Sequence, residues 1–146
     1  MELTDRLQPL RQCYEDYMND RRAMLQEGGA FQGVSRFFTG PPAGERMIAK
    51  RFLQQVEEWL AQLDRKDASL VAEVVSYMLL DTQGFDYNSQ LMFQAAEPYV
   101  LPLIGCLSRE DAARILAGYT ARYPKRRMLL PKQREVLAAL EKAARG

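Results

Sequence analysis

The residues of this chain best suited to bind a charged ligand are the cations near its C-terminal end. Seven basic residues and no acidic residue lie between Arg114 and Arg134, and Tyr119 and Tyr123 are interleaved with them. Such a segment can bind phosphates through its cations and stack bases on its rings. The same pattern is also typical of a solvated connector that complements an acidic segment. The candidate phosphate-binding residues are Arg122, Lys125, Arg126, Arg127, Lys132 and Arg134.

The chain contains no histidine, and this absence removes several classes of catalytic site. A Ser-His-Asp or Cys-His nucleophile pair cannot be built from it, nor can the two-His zinc motif. The acidic helix motifs that bind magnesium are also missing, and Gly40-Pro-Pro-Ala-Gly44 lacks the Lys-Ser/Thr of a phosphate-binding loop. The sequence therefore predicts no catalytic residue, no metal site and no cofactor.

An aromatic trio suggests a second kind of contact. Phe31, Phe37 and Phe38 lie within residues 28–44, which hold five glycines and two prolines. We expect this segment to be one long irregular loop, because glycine and proline both disfavour a continuous helix, although Phe31 to Phe38 could form one or two helical turns. Exposed aromatic side chains on such a loop would act as anchors for a partner protein.

The elements that position these residues are predicted to be helices. Apolar residues recur at three- and four-residue steps almost throughout, and no convincing strand is found. Ser108 with Asp111 resembles a capping box that opens one helix, and Pro124 ends it. The sequence predicts an all-α bundle of six or seven helices, mostly antiparallel. Its helices cover about 4 or 9 to 27, 44–63, 68–81, 87–105 with a break at Glu97-Pro98, 109–122, and from 131 onward.

Charge is distributed unevenly along the chain. Residues 61–107 carry a net charge of −4 and residues 108–146 a net charge of +6, although the whole chain is only +1. The acidic and basic segments could meet within one chain or across a symmetric dimer. We therefore expect a monomer or a weak homodimer.

Length and hydropathy bound the remaining properties. A chain of 146 residues fits one domain, so residues 1–146 are predicted to form a single helical domain. No apolar stretch approaches the length of roughly 20 residues that a bilayer span needs. The first residues, Met1 to Asp5, lack the apolar core of a signal peptide. A cytoplasmic protein without a membrane segment is expected.

The absence of recognisable catalytic motifs favours a non-catalytic module that binds another protein. Kinks at Pro98 and Pro102 could also open a small-molecule or lipid pocket between helices. A nucleic-acid-associated protein that uses the basic segment 114–134 is the alternative from a different class. A carboxylate-metal enzyme is a third interpretation, which requires acidic side chains from at least two helices to converge on one cleft.

Overall fold

A computed structural model describes the backbone of residues 6–39, 43–82 and 95–146, and the side chains of these ranges except 24–39 and 43–45. Within these ranges the protein has six α-helices and no strand. The all-α fold class is thereby confirmed. The chain divides into two compact units, Met1–Ala61 and Gln62–Gly146, and each is described by itself. The single domain expected from length stays a prediction.

The first unit contains two helices, α1 at Gln8–Thr39 and α2 at Ala43–Ala61. Phe52 of α2 lies against two tyrosines of α1, with ring centroids 4.8 Å from Tyr14 and 4.9 Å from Tyr17. The two tyrosines share one face of α1 because residues three apart are neighbours on a helix. All three rings are buried, so aromatic packing joins the two helices.

The predicted loop at 28–44 is wrong over most of its length, because the backbone is helical through Thr39 and again from Ala43. Each glycine in a helix costs only about 1 kcal/mol relative to alanine. No proline lies between Pro9, which sits in the first turn of α1, and Pro41. Glycine weakens a helix and proline breaks it, so α1 continues past Gly28 and Gly29.

The extension of α1 to Thr39 changes the backbone environment of the aromatic trio. The backbone at Phe31, Phe37 and Phe38 belongs to α1 rather than to a loop. Their side chains lie outside the described residues. Their role as contacts for a partner protein therefore stays a prediction.

The second unit is built from shorter elements. Helix α3 continues directly into a π-helical turn, and a 3-10 turn occupies the place where Glu97-Pro98 predicts a break. A second 3-10 turn lies between the last two long helices. In chain order the elements are α3 (Ala68–Ser76), the π turn (Tyr77–Asp81), a 3-10 turn (Glu97–Tyr99), α4 (Leu101–Ile104), α5 (Arg109–Arg122), a 3-10 turn (Arg126–Met128) and α6 (Pro131–Arg145).

Local chemistry sets the ends of α5 and α6. The Ser108 hydroxyl accepts a hydrogen bond from the backbone N–H of Asp111 at 3.1 Å and so caps α5, as predicted. Helix α5 ends at Arg122, before Pro124, and α6 begins at Pro131. Proline is well tolerated in a first helical turn because it has no N–H to leave unpaired.

The core of this unit lies where α5 and α6 pack against each other. Ile115 and Tyr119 of α5 are fully buried, as are Val136 and Leu140 of α6. Helix α5 also approaches the π turn closely at Gly118. A Cβ atom at that position would lie 3.0 Å from a methyl carbon of Leu80.

Candidate functional site

The six predicted cations lie on one stretch of chain in the second unit. All of them are exposed, and they occupy the end of α5, the connector after it and the first turn of α6. We call this set the basic surface; it consists of Arg122, Lys125, Arg126, Arg127, Lys132 and Arg134.

The connector between α5 and α6 carries three of these cations and has one buried apolar residue. Leu129 is buried, and its N–H donates to the carbonyl of Arg126 at 3.2 Å. Arginine and lysine are almost never fully buried unless they are paired. The short 3-10 turn that precedes Leu129 therefore points its charged side chains into solvent.

Some of the cations have partners within the unit. Arg126 pairs with Glu141 of α6, and Lys132 lies 3.6 Å from Glu135. A guanidinium nitrogen of Arg134 donates to the backbone carbonyl of Arg127 at 3.3 Å. Within the described part of the chain, the side chains of Lys125 and Arg127 have no ion-pair partner. The basic surface thus keeps a net positive charge.

Two large apolar side chains stand among these cations. Met128 is 69% exposed and Leu130 is 40% exposed; Met47 is the other large apolar side chain that is exposed in the described ranges. A groove of about 460 Å³ lies beside three of these cations, and we call it the basic groove; neither Met128 nor Leu130 lines it. It is lined by Arg126, Arg127, Leu129, Arg134, Leu137, Ala138 and Glu141.

Tyr123 connects the basic surface with the interior. Its ring is half-buried and meets Tyr119 edge to face, with centroids 5.1 Å apart and planes at 61°. Burial and the charge of Glu97 raise the pKa of Tyr123, while hydrogen bonds with Gln133 and Arg122 lower it. Because Tyr123 is half-buried and packs on Tyr119, only part of it is open to a base.

Sequence reasoning missed a buried polar pair behind this tyrosine. Glu97 is 2% exposed, and neither of its carboxyl oxygens has a hydrogen-bond partner in the described structure. The hydroxyl of Tyr119 is also buried and without such a partner. We call Glu97 and Tyr119 the buried pair. Burial raises the pKa of Glu97 to about 8, and burial followed by the charge of Glu97 raises the pKa of Tyr119.

A signal for Glu97 was present in the sequence. It is the single charged residue between Asp86 and Arg109, in a segment rich in Leu, Ala, Pro and Tyr. A carboxylate surrounded by apolar residues in sequence is a candidate for burial. Because desolvation raises the pKa of Glu97 to about 8, this carboxyl holds a proton at neutral pH.

Acidic side chains elsewhere in the described ranges do not converge on one site. Among the residues whose positions are described, no group of three or more Asp, Glu or Cys side chains is close enough to hold a metal ion. In the first unit, Asp20 pairs with Arg51 of α2. A carboxylate-metal site therefore gains no support from the described residues.

Within the described ranges, none of the helices is both long and apolar enough to cross a membrane. Comparisons with models of known protein families, with curated proteins and with solved structures give no match for this chain.

Proposed function

We propose that this protein is a non-catalytic interaction module whose basic surface binds an acidic segment of a partner protein. The observation that carries the proposal is the presence of Met128 and Leu130, both exposed, among six exposed cations. This places apolar and charged contacts side by side on one short stretch of chain.

The charge of the surface selects an acidic partner. Lys125 and Arg127 have no ion-pair partner in the described ranges, so an incoming carboxylate meets cations that are already available. Complementary charge speeds association and orients the partner more than it adds affinity. The basic surface therefore attracts the acidic partner and sets the orientation in which it binds.

The apolar side chains favour a peptide over a nucleic acid. Methionine and arginine are enriched at the centres of protein interfaces, where a few apolar anchors supply most of the binding energy. A nucleic-acid backbone would use the cations but would gain little from Met128 and Leu130, and Tyr123 is half-buried. An acidic peptide with apolar side chains uses both.

The test compares two short fluorescent peptides of equal negative charge, one with two leucines and one with serines in their place. We expect the leucine peptide to bind about tenfold more tightly, because burying an anchor is worth more than about 1 kcal/mol. Affinity for both peptides should fall as salt is raised. Fluorescence anisotropy measures each binding curve.

Matched variants locate the binding site. The double variant Lys125→Glu with Arg127→Glu should reduce affinity by tenfold or more, since like charges then face the peptide. The control Arg65→Glu with Lys66→Glu makes the same charge change on exposed residues of the same unit and should leave binding nearly unchanged. Equal binding of the two peptides contradicts the proposal. A preference for a single-stranded oligonucleotide over the leucine peptide also contradicts it and assigns the surface to nucleic acid.

A further inference from the structure

A second groove of the same unit lies apart from the basic surface. Its volume is about 580 Å³, within the range of about 300 to 1,000 Å³ that is typical of small-molecule sites. Apolar side chains from α4, from the turn that follows it and from α6 line the groove, and two cations stand among them. The residues that matter for its chemistry are Leu101, Ile104, Leu107, Ala139, Arg109 and Lys142.

The groove and the basic groove use different faces of α6. Arg134, Leu137 and Glu141 line the basic groove at three- and four-residue steps. Ala139, Lys142 and Ala143 follow the same spacing on a neighbouring face. A ligand in one groove therefore need not contact the residues that line the other.

The apolar part of the groove lies around the short helix α4. This helix has four residues, and Gly105 follows it directly. Ile104 is buried, but Leu101 and Leu107 at the two ends of this stretch are only half-buried. The small side chains of Ala139 and Ala143 opposite them leave the space open.

The cations of the groove are available for a ligand. Neither Arg109 nor Lys142 forms an ion pair with any described residue, and the nearby Asp111 is paired with Arg114 at 3.3 Å. The guanidinium of Arg109 lies directly against Gly146. A Cβ atom added at that glycine would overlap the guanidinium nitrogens. Two positive charges thus border an apolar surface.

We propose that this groove binds a small amphipathic carboxylate, with its apolar chain on Leu101 and Leu107 and its carboxylate between Arg109 and Lys142. A neutral apolar ligand would leave both cations without a partner. A small inorganic anion would leave the apolar surface exposed to water. An apolar chain that ends in one carboxylate satisfies both parts of the groove.

Decanoate is the probe, and amide chemical-shift changes of the isotope-labelled protein report its binding. We expect saturable binding, with shifts confined to residues 101–109 and 139–146. Decanol should bind about tenfold more weakly, because it lacks the charge-assisted hydrogen bonds. Decyltrimethylammonium should not bind. Shortening the chain should weaken binding about twofold to fourfold per methylene group.

Single substitutions test the two cations. Arg109→Gln and Lys142→Gln should each weaken decanoate binding about tenfold, while thermal unfolding confirms that each variant is folded. The control Lys132→Gln changes an exposed lysine of the same helix at the basic surface and should leave the affinity unchanged. Equal loss in Lys132→Gln and Lys142→Gln overturns the proposal, as does equal binding of decanol and decanoate.

Co-sedimentation with phosphatidylglycerol vesicles separates a free carboxylate from a lipid surface. We expect no binding to vesicles that depends on Arg109 and Lys142. The proposal is overturned if the protein binds the vesicles, both glutamine variants abolish this binding, and decanoate does not compete with it. The groove would then be assigned to a membrane surface.

Discussion

The basic surface and the buried pair place polar groups in opposite environments within one unit of the protein. Helix α5 takes part in both, since Tyr119 is fully buried and Arg122, one turn later, is exposed. The cations on the outside have either a partner on the surface or access to water. Glu97 and the hydroxyl of Tyr119 have neither in the described structure.

The free-energy cost of a charge depends on its exposure to water, so the two regions are expected to have different roles. An exposed charge costs little to maintain, so the basic surface stays positive and available for binding. A buried carboxylate without a partner is costly, and the group holds a proton instead. The comparison suggests that binding depends on the outer region, whereas the response of stability to pH depends on Glu97.

The largest effect is expected from Glu97. Its pKa in the folded protein is about 8, above its ordinary value of 4.5, so the folded state holds a proton that the unfolded state releases between these values. The stabilisation by this proton is complete below pH 4.5 and is lost as pH rises through 8. The unfolding equilibrium constant should rise about tenfold per pH unit across this interval, about 5 kcal/mol in total.

The variant Glu97→Gln isolates this contribution, because glutamine keeps the size of the side chain and does not titrate. Urea unfolding at a series of pH values should show a shallower dependence in Glu97→Gln than in the unchanged protein. Glu110→Gln removes an exposed carboxyl of the same unit and serves as the control. Parallel pH profiles for the unchanged protein and Glu97→Gln would show that Glu97 is paired in solution.

A pair of leucines at α6 tests the division between interior and surface. Leu140 is fully buried, and Leu140→Ala should cost about 2 to 5 kcal/mol of unfolding free energy. Leu130 is 40% exposed, so Leu130→Ala should change stability by about 0.5 kcal/mol or less. Binding of the leucine peptide should reverse the order, with a loss in Leu130→Ala and none in folded Leu140→Ala. A large stability loss in Leu130→Ala would mean that this side chain belongs to the core.

Sequence reasoning located helices best where proline or a capping residue marks their ends. The predicted bounds 109–122 match α5, because Ser108 caps its first turn and Pro124 follows its last residue. The predicted loop at 28–44 is wrong over most of its length, because five of its seven helix-disfavouring residues are glycines. Their cost is small and adds slowly along a long helix, whereas proline removes a hydrogen bond outright.

The candidate site was predictable in its charges but not in its contacts. Exposure of the six cations follows from their type, since arginine and lysine are rarely buried. The exposure of Met128 and Leu130 depends on how Leu129 anchors the connector, which only the tertiary structure shows. The burial of Glu97 likewise depends on tertiary packing, although its position in an apolar segment was a usable sign.

Small effects are expected from the two tyrosines, and they should differ in sign. Tyr119→Phe removes a buried hydroxyl that has no hydrogen-bond partner in the described structure, so it should raise the unfolding free energy by about 1 kcal/mol or less. Tyr123→Phe removes a hydroxyl that bonds with Gln133 and Arg122, and it should lower the unfolding free energy by about 1 kcal/mol. Urea unfolding at pH 6, where Glu97 is protonated in the folded state, measures both. Destabilisation by Tyr119→Phe as large as that by Tyr123→Phe would show that the Tyr119 hydroxyl has a partner, and the buried pair would then no longer differ from the surface in this respect.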